Sequence, residues 1–254
     1  MLPYHMSEQP ASDNFGAVYG INAVKEAIGA RPVDYVLVTQ GQRNPRVGEI
    51  ISLCHAAGVQ VRFAPRQALD RAAENAQHQD VVAICAAKKY DDIETIVASS
   101  ERPLLVALDG VEDPGNLGAI VRTAVGAGAA GIVIPERRAA GLSAAVARAA
   151  AGALEHARIA RVTNLVRTLV ELKKQNLWVY GFEAQAPKSY LELDYTGACA
   201  VVLGGEGRGL HRLVREACDE LAHIPLARPV QSLNVSVAAG VVLYEAARQR
   251  SSRR

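Results

Sequence analysis

Short apolar runs and amphipathic stretches alternate along almost the whole chain. From residue 16 the order is a helical pattern over 18–30 (VYGINAVKEAIGA), the run VDYVLVT, an amphipathic stretch over 44–58 closed by Gly58, the run VQVRF, the helical PRQALDRAAEN, and the run VVAICAA. Apolar residues three and four apart predict helices, and short β-branched runs predict strands. Together these make a compact α/β unit over 16–88. Residues 1–15 are polar and contain proline, which predicts disorder. Residues 89–102 begin charged and without a clean apolar face, so they read as a linker.

Pro103 opens a second series. LLVALDG, GIVIP, RIARV, LWVYGFE, CAVVLGG and LAHIPL read as strands, separated or followed by helical patterns over 116–128, 143–156, 164–176, 210–218 and 233–250. Strands alternating with helices predict parallel β with crossover helices. Near-continuous apolar strands suit a sheet covered on both faces. The fold class is therefore α/β, with a small N-terminal unit and a parallel-sheet domain over 103–254.

Composition narrows the function. The chain has 254 residues, half of them apolar and 21% charged, as in a soluble protein with a full core. Aromatics make up 5%, too few for a broad stacking platform for single-stranded nucleic acid. A net charge of +2 permits an RNA partner without requiring one. The basic tail over 248–254 reads as a solvated, frayed terminus. Cys54, Cys85, Cys199 and Cys218 are isolated and the six histidines lack metal-ligand spacing, so no metal is expected. No apolar run is long enough for a bilayer, and the first residues lack a signal-peptide pattern. A cytoplasmic location with reduced thiols is the expectation.

Three segments carry candidate chemistry. In LDGVEDPGNLGAIVRTA a strand runs through a turn into a helix that Asn116 can cap, and Arg122 lies in an otherwise apolar stretch, either exposed or aimed at an anion. VVLGGEGRGL packs four glycines into six residues at a strand end, with Glu206 the sole carboxylate among them. So many glycines favour close approach of a ligand, and ligand loops belong at the C-terminal edge of a parallel sheet. In SLNVSVAAGVVL, Ser232 can cap the last helix, leaving Asn234 and Ser236 in turns where backbone N–H groups point outward. The literal G-x-G-x-x-G at 126–131 closes a helix and leads into a strand. A dinucleotide fingerprint must do the reverse, so an oxidoreductase reading is set aside.

In order and spacing, NLGAIVRTA, VVLGGEGRGL and IPLARPVQSLNVSVAAGVVLYEA resemble the three motifs of the SpoU family of RNA 2′-O-ribose methyltransferases, in the SPOUT superfamily. The front half resembles that family's small RNA-substrate-binding domain, so the resemblance spans nearly everything past residue 16. It implies a parallel sheet ending in a trefoil knot, a homodimer, structured RNA as partner and S-adenosylmethionine as cofactor. Leu203, Gly204, Gly205, Gly207, Ile224, Leu226, Ser232 and Leu233 are then expected around the cofactor. Arg122, Asn116, Glu206, Asn234 and Ser232 are expected in catalysis. The family often carries alanine where Gly205 stands, which here implies a more flexible loop.

The resemblance further implies methylation of a guanosine ribose in 23S rRNA. A tRNA target and a non-catalytic ribosome assembly factor are the competing readings. Family proposals make the motif arginine a base, but guanidinium stays protonated. Arg122 is better suited to holding the 2′-oxygen and adjacent phosphate, with water or phosphate as proton acceptor; Asn116 would then hold Arg122 or the substrate, and Glu206 would anchor Arg122 or Asn234. In the front unit Arg31, Arg43, Arg46, Arg62 and Arg66 are RNA-contact candidates, and the unit is expected to be dispensable for folding of the remainder.

Overall fold

The computed structural model describes residues 16–251 apart from 75, 208 and 228. The expectations for residues 1–15 and 252–254 lie outside them. The first unit contains β1 (Ala17–Tyr19), α1 (Ile21–Ala30), β2 (Val33–Thr39), α2 (Pro45–Ala56), β3 (Gln60–Ala64), α3 (Arg66–Ala72) and β4 (Val81–Cys85). The strand order is β1-β4-β2-β3. Only β2 and β3 run parallel; β4 lies antiparallel between β1 and β2. The front sheet is thus mixed. One expectation changes here: Val18 and Tyr19 form a strand rather than the start of a helix. Gly20, at φ 91°, turns the chain between them.

After α4 (Ile93–Ala98) come β5 (Leu104–Asp109), α5 (Pro114–Gly126), β6 (Gly131–Pro135), α6 (Ala144–Ala150), β7 (Ile159–Val162) and α7 (Leu165–Lys174). Then follow β8 (Trp178–Phe182), β9 (Lys188–Ser189), β10 (Cys199–Gly204), α8 (Arg212–Ala217), β11 (Glu220–His223) and α9 (Val235–Ser251). The second sheet runs β7-β6-β5-β10-β8-β11-β9, and every pairing is parallel. β5 is buried at all six residues and β10 at its first five; the apolar stretches Leu104–Leu108 and Cys199–Leu203 account for this, and Asp109 is a buried carboxylate at the end of β5. Parallel strands bring the ends of β5, β8, β10 and β11 to one edge of the sheet, where the site lies.

The span read as a linker is docked. Ile96 of α4 is fully buried in the second core, worth about 2 kcal/mol of burial. The Leu142 N–H donates to the Tyr90 hydroxyl, and Ile159 N–H to the Asp91 carboxylate. The helical pattern over 143–156 is also broken, because Ala151 and Gly152 are left-handed. A Cβ on Gly152 would fall 2.4 Å from Glu26 Cγ, so the break is where α1 packs. Arg31 crosses the same junction to Glu155 at 3.1 Å, both side chains largely buried, and donates to the Ala86 carbonyl. Removing one partner of such a pair costs about 3–5 kcal/mol. One continuous apolar cluster runs from Val18 and Val24 to Leu154 and Leu108. The front unit is thus a packed part of the molecule, which corrects the expectation that it can be removed without harm to the rest.

Residues 248–251, the described part of the C-terminal tail, are also better held than expected. Arg250 donates to the carbonyls of Tyr195, Gly197 and Arg102, and Arg248 grips Glu245 through two hydrogen bonds. These bonds hold the Glu245 carboxyl below its ordinary range. The cysteine thiols are shifted the other way by burial, Cys85 to about 11 and Cys218 to about 12, so both are poor nucleophiles in the folded protein.

Candidate active site

β5 ends at Asp109, and a short turn leads into α5. Asp113 caps that helix by accepting the Asn116 N–H at 2.7 Å, with Pro114 in the first turn. The capping expected of Asn116 therefore belongs to Asp113, and the Asn116 side chain is free for other work. Its Nδ2 donates to Glu206 Oε1 at 2.7 Å, and its Oδ1 accepts from Asn234 Nδ2 at 3.0 Å. Asn234 Nδ2 also lies 3.0 Å from Glu206 Oε1. Three residues from three separate segments thus close a small polar ring around one carboxylate oxygen.

The last helix begins at Val235, so Asn234 rather than Ser232 is its cap. Asn234 Oδ1 accepts both the N–H and the hydroxyl of Ser236, at 2.9 and 2.6 Å. The three alternating polar residues are now separated in role. Ser232 is exposed on the loop, Asn234 caps and joins the ring, and Ser236 fixes the Asn234 amide.

The loop after β10 is folded against backbone on both sides. Gly205 N–H donates to the Asp109 carbonyl at 2.7 Å, and Gly205 bridges Gly209. A Cβ on Gly204 would sit 2.2 Å from the Gly209 carbonyl carbon, and one on Gly205 only 1.9 Å from the Gly110 carbonyl oxygen. Gly205 therefore serves close approach, not the flexibility expected of it. Gly207 and Gly209 are left-handed, at φ 82° and 63°. Gly204→Ala should lower stability by roughly 1–3 kcal/mol in urea unfolding. It should also weaken cofactor binding, measured by calorimetry. Wild-type values for both would show that the loop can yield.

This loop, the 224–226 segment and the 232–234 turn enclose a cavity of about 830 Å³. All eight residues expected around the cofactor line it, from Leu203, Gly204, Gly205 and Gly207 to Ile224, Leu226, Ser232 and Leu233. Phe182 at the end of β8, and Glu183 and Gln185 just past it, also line it. They were missed, although their place after an apolar strand was a usable signal. Beside it lies a second cavity of about 570 Å³ containing Asn116 and Asp109. Glu206 and Val235 belong to both.

Arg122 is placed differently. It is exposed, lines neither cavity, and forms no hydrogen bond or ion pair among the described residues. It lies six positions after Asn116 on the helix, which puts it about 9 Å further along the axis and roughly 120° away around it. Of the alternatives expected, Glu206 holds Asn234 rather than Arg122, and Asn116 holds Glu206 and Asn234. Among the five front-unit arginines, Arg31 is committed to the junction with Glu155. Arg46 donates to Asn22, and Arg62 stacks on Tyr35 at 3.8 Å. Arg43 and Arg66 stay exposed without a partner among the described residues. No cluster of metal-ligating side chains occurs among the described residues, and no described helix is long and apolar enough to cross a membrane.

Comparison with known proteins identifies the family of both units. Residues 103–244 match the SpoU rRNA Methylase family, and residues 17–91 match the RNA 2′-O ribose methyltransferase substrate binding family. The 23S rRNA (guanosine-2′-O-)-methyltransferase RlmB of Xylella fastidiosa is 44% identical over 240 residues, covering 92% of this chain and 96% of that one. The RlmB of Escherichia coli K12 is 41% identical, covering 92% and 98%. In solved structures, the SpoU methyltransferase AviRb from Streptomyces viridochromogenes, in complex with AdoMet, superposes with a TM-score of 0.78. It is 26% identical, over 93% of this chain and 90% of that one. With an all-parallel C-terminal sheet, a glycine loop at its edge and both family matches in register with the two units, the chain belongs to the SpoU rRNA methylase family.

Proposed function

We propose that the protein methylates the 2′-hydroxyl of a guanosine ribose in 23S rRNA, using S-adenosylmethionine. The observation that carries this reading is the pair of adjoining cavities joined at the Asn116–Glu206–Asn234 ring. The larger one suits the cofactor. Leu203, Ile224, Leu226 and Leu233 offer apolar walls to an adenine, and glycine backbone offers polar edges. When bound, S-adenosylmethionine supplies an electrophilic methyl group on a cationic sulfur.

The chain's own residues orient the other reactant. Glu206 fixes two amides at once, so the ring presents pre-set dipoles without reorganisation during reaction. Ser232, on the wall of the larger cavity, contacts cofactor or ribose. The front unit holds structured RNA by shape and backbone contacts, with Arg43 and Arg66 available for phosphates. Relatives of this chain, nearly full length in coverage, are named for the 23S rRNA guanosine reaction, which favours that target over tRNA.

The protein works as a homodimer in the cytoplasm, with the C-terminal part of its sheet tied in the family's trefoil knot. Val237 and Tyr244, seven residues apart on α9, are 52% and 58% exposed, an apolar stripe suited to a second copy. Arg122 is exposed on α5, which packs against α9. A copy docked there brings Arg122 to the cavity of its mate, where a fixed cation stabilises the developing oxyanion and grips the neighbouring phosphate. The deciding experiment maps 2′-O-methyl positions in total RNA from cells with and without the gene. One guanosine of 23S rRNA should lose its methyl group; an unchanged rRNA map refutes the proposal.

A further inference from the structure

We propose that His211, oriented by the buried carboxylate of Asp109, accepts the proton of the ribose hydroxyl. This rests on the methyltransferase reading and fills the role that Arg122, always protonated, cannot.

Asp109 ends β5 and is only 6% exposed. His211 lies just beyond the glycine loop, 102 residues later, yet Asp109 holds it at two points. Its backbone N–H donates to Oδ2 at 2.7 Å, and its Nδ1 lies 2.9 Å from Oδ1. Arg138 Nη1 approaches the other ring nitrogen, Nε2, at 3.5 Å. A guanidinium can only donate, so Nε2 carries the lone pair and Nδ1 carries the proton given to Asp109. A ring locked in this tautomer, with a basic nitrogen facing outward, is the arrangement of a general base with its orienting carboxylate.

The surroundings give that nitrogen a substrate. His211 and Asp109 line the 570 Å³ cavity together with Asn116 and Glu206 of the polar ring. This cavity shares Gly205, Glu206, Gly209 and Val235 with the larger one. A nucleoside in the smaller cavity therefore sits beside a methyl donor in the larger. In the step, the ribose O–H bond breaks and its proton passes to Nε2. The 2′-oxygen bonds the methyl carbon as the carbon–sulfur bond breaks, and that electron pair stays on sulfur, leaving a neutral thioether. Asp109 remains anionic and offsets the imidazolium charge. Among the described residues of the cavity, Glu112, Asp113 and Glu206 add to that field, and Arg138 opposes it. Arg138 is exposed, so it can turn from the ring to an RNA phosphate as the substrate hydroxyl replaces it.

Two measurements test this. The first is the pH–rate profile of methyl transfer to 23S rRNA by wild type, His211→Gln and His211→Ala. The variants should be slower by roughly 10²–10⁴-fold, and their pH–rate profiles should differ in shape from that of wild type. Their affinity for S-adenosylmethionine should stay within about twofold, since the ring lines only the smaller cavity. Free imidazole should restore part of the rate to His211→Ala. The second follows the His211 ring resonance by NMR, assigned with His211→Gln, in protein saturated with S-adenosylhomocysteine. Adding an rRNA fragment should shift it. A His211→Gln enzyme with wild-type rate and profile, or a resonance blind to RNA, overturns the proposal. A wild-type protein inert on every rRNA refutes the methyltransferase reading instead, and the resonance then decides alone whether His211 meets RNA.

Discussion

Arg122→Ala should reduce methyl transfer by at least about 10²-fold while leaving cofactor affinity near wild type. The first half follows from losing a fixed cation at a developing oxyanion. The second follows from its proposed role, since it acts on the oxyanion and the RNA phosphate while the cofactor is held by the glycine loop, the 224–226 segment and the 232–234 turn. Calorimetry showing an equal loss of cofactor affinity would remove Arg122 from the chemistry. The exposed position also predicts little change in thermal stability, because no described hydrogen bond or ion pair is broken.

Glu206→Ala should be comparably damaging, by a different route. Its Oε1 is the common acceptor for the Asn116 and Asn234 amides, so truncation releases both at once. A loss of roughly 10²-fold in rate is expected, with Glu206→Gln less severe because an amide oxygen can still accept. Incorporation of labelled methyl into rRNA measures both. Mixing the two defective proteins gives the sharpest result. If Arg122 serves its mate, a mixed dimer contains one site with both Glu206 and Arg122 intact. Random exchange of subunits should then recover roughly a quarter of wild-type activity. No recovery on mixing would place Arg122 in its own chain's site.

The parallel sheet was legible because β5, β6 and β10 are unbroken apolar runs, a pattern only a doubly covered sheet explains. The front sheet was less so. Insertion of β4 between β1 and β2 is a long-range choice that no local pattern records, and a three-residue β1 merges with the helix after it. The segment over 93–98 looked like a linker because Ile96 is its sole fully buried side chain. In the site, the glycine loop and the SLN turn could be read because ligand loops sit at strand ends. The Asp109–His211 pair could not, since each residue has an ordinary local explanation and only the fold brings them together. Helix caps failed for a narrower reason. Asp113 and Asn116, like Ser232 and Asn234, are all competent caps, and the choice within each pair depends on where the preceding turn releases the chain.

The packed junction of α1 against Gly152, with Arg31 locked to Glu155, decides how the RNA must be presented. A reader on a loose tether would let the catalytic half sample every ribose within reach of the string, and selectivity would rest on local sequence. A reader seated on the same core works as a gauge, because the spacing between the RNA element it grips and the ribose being modified is fixed by the protein. The folded RNA therefore has to supply the matching spacing, and an rRNA with one base pair inserted between the two contacts should lose modification even with its target guanosine unchanged.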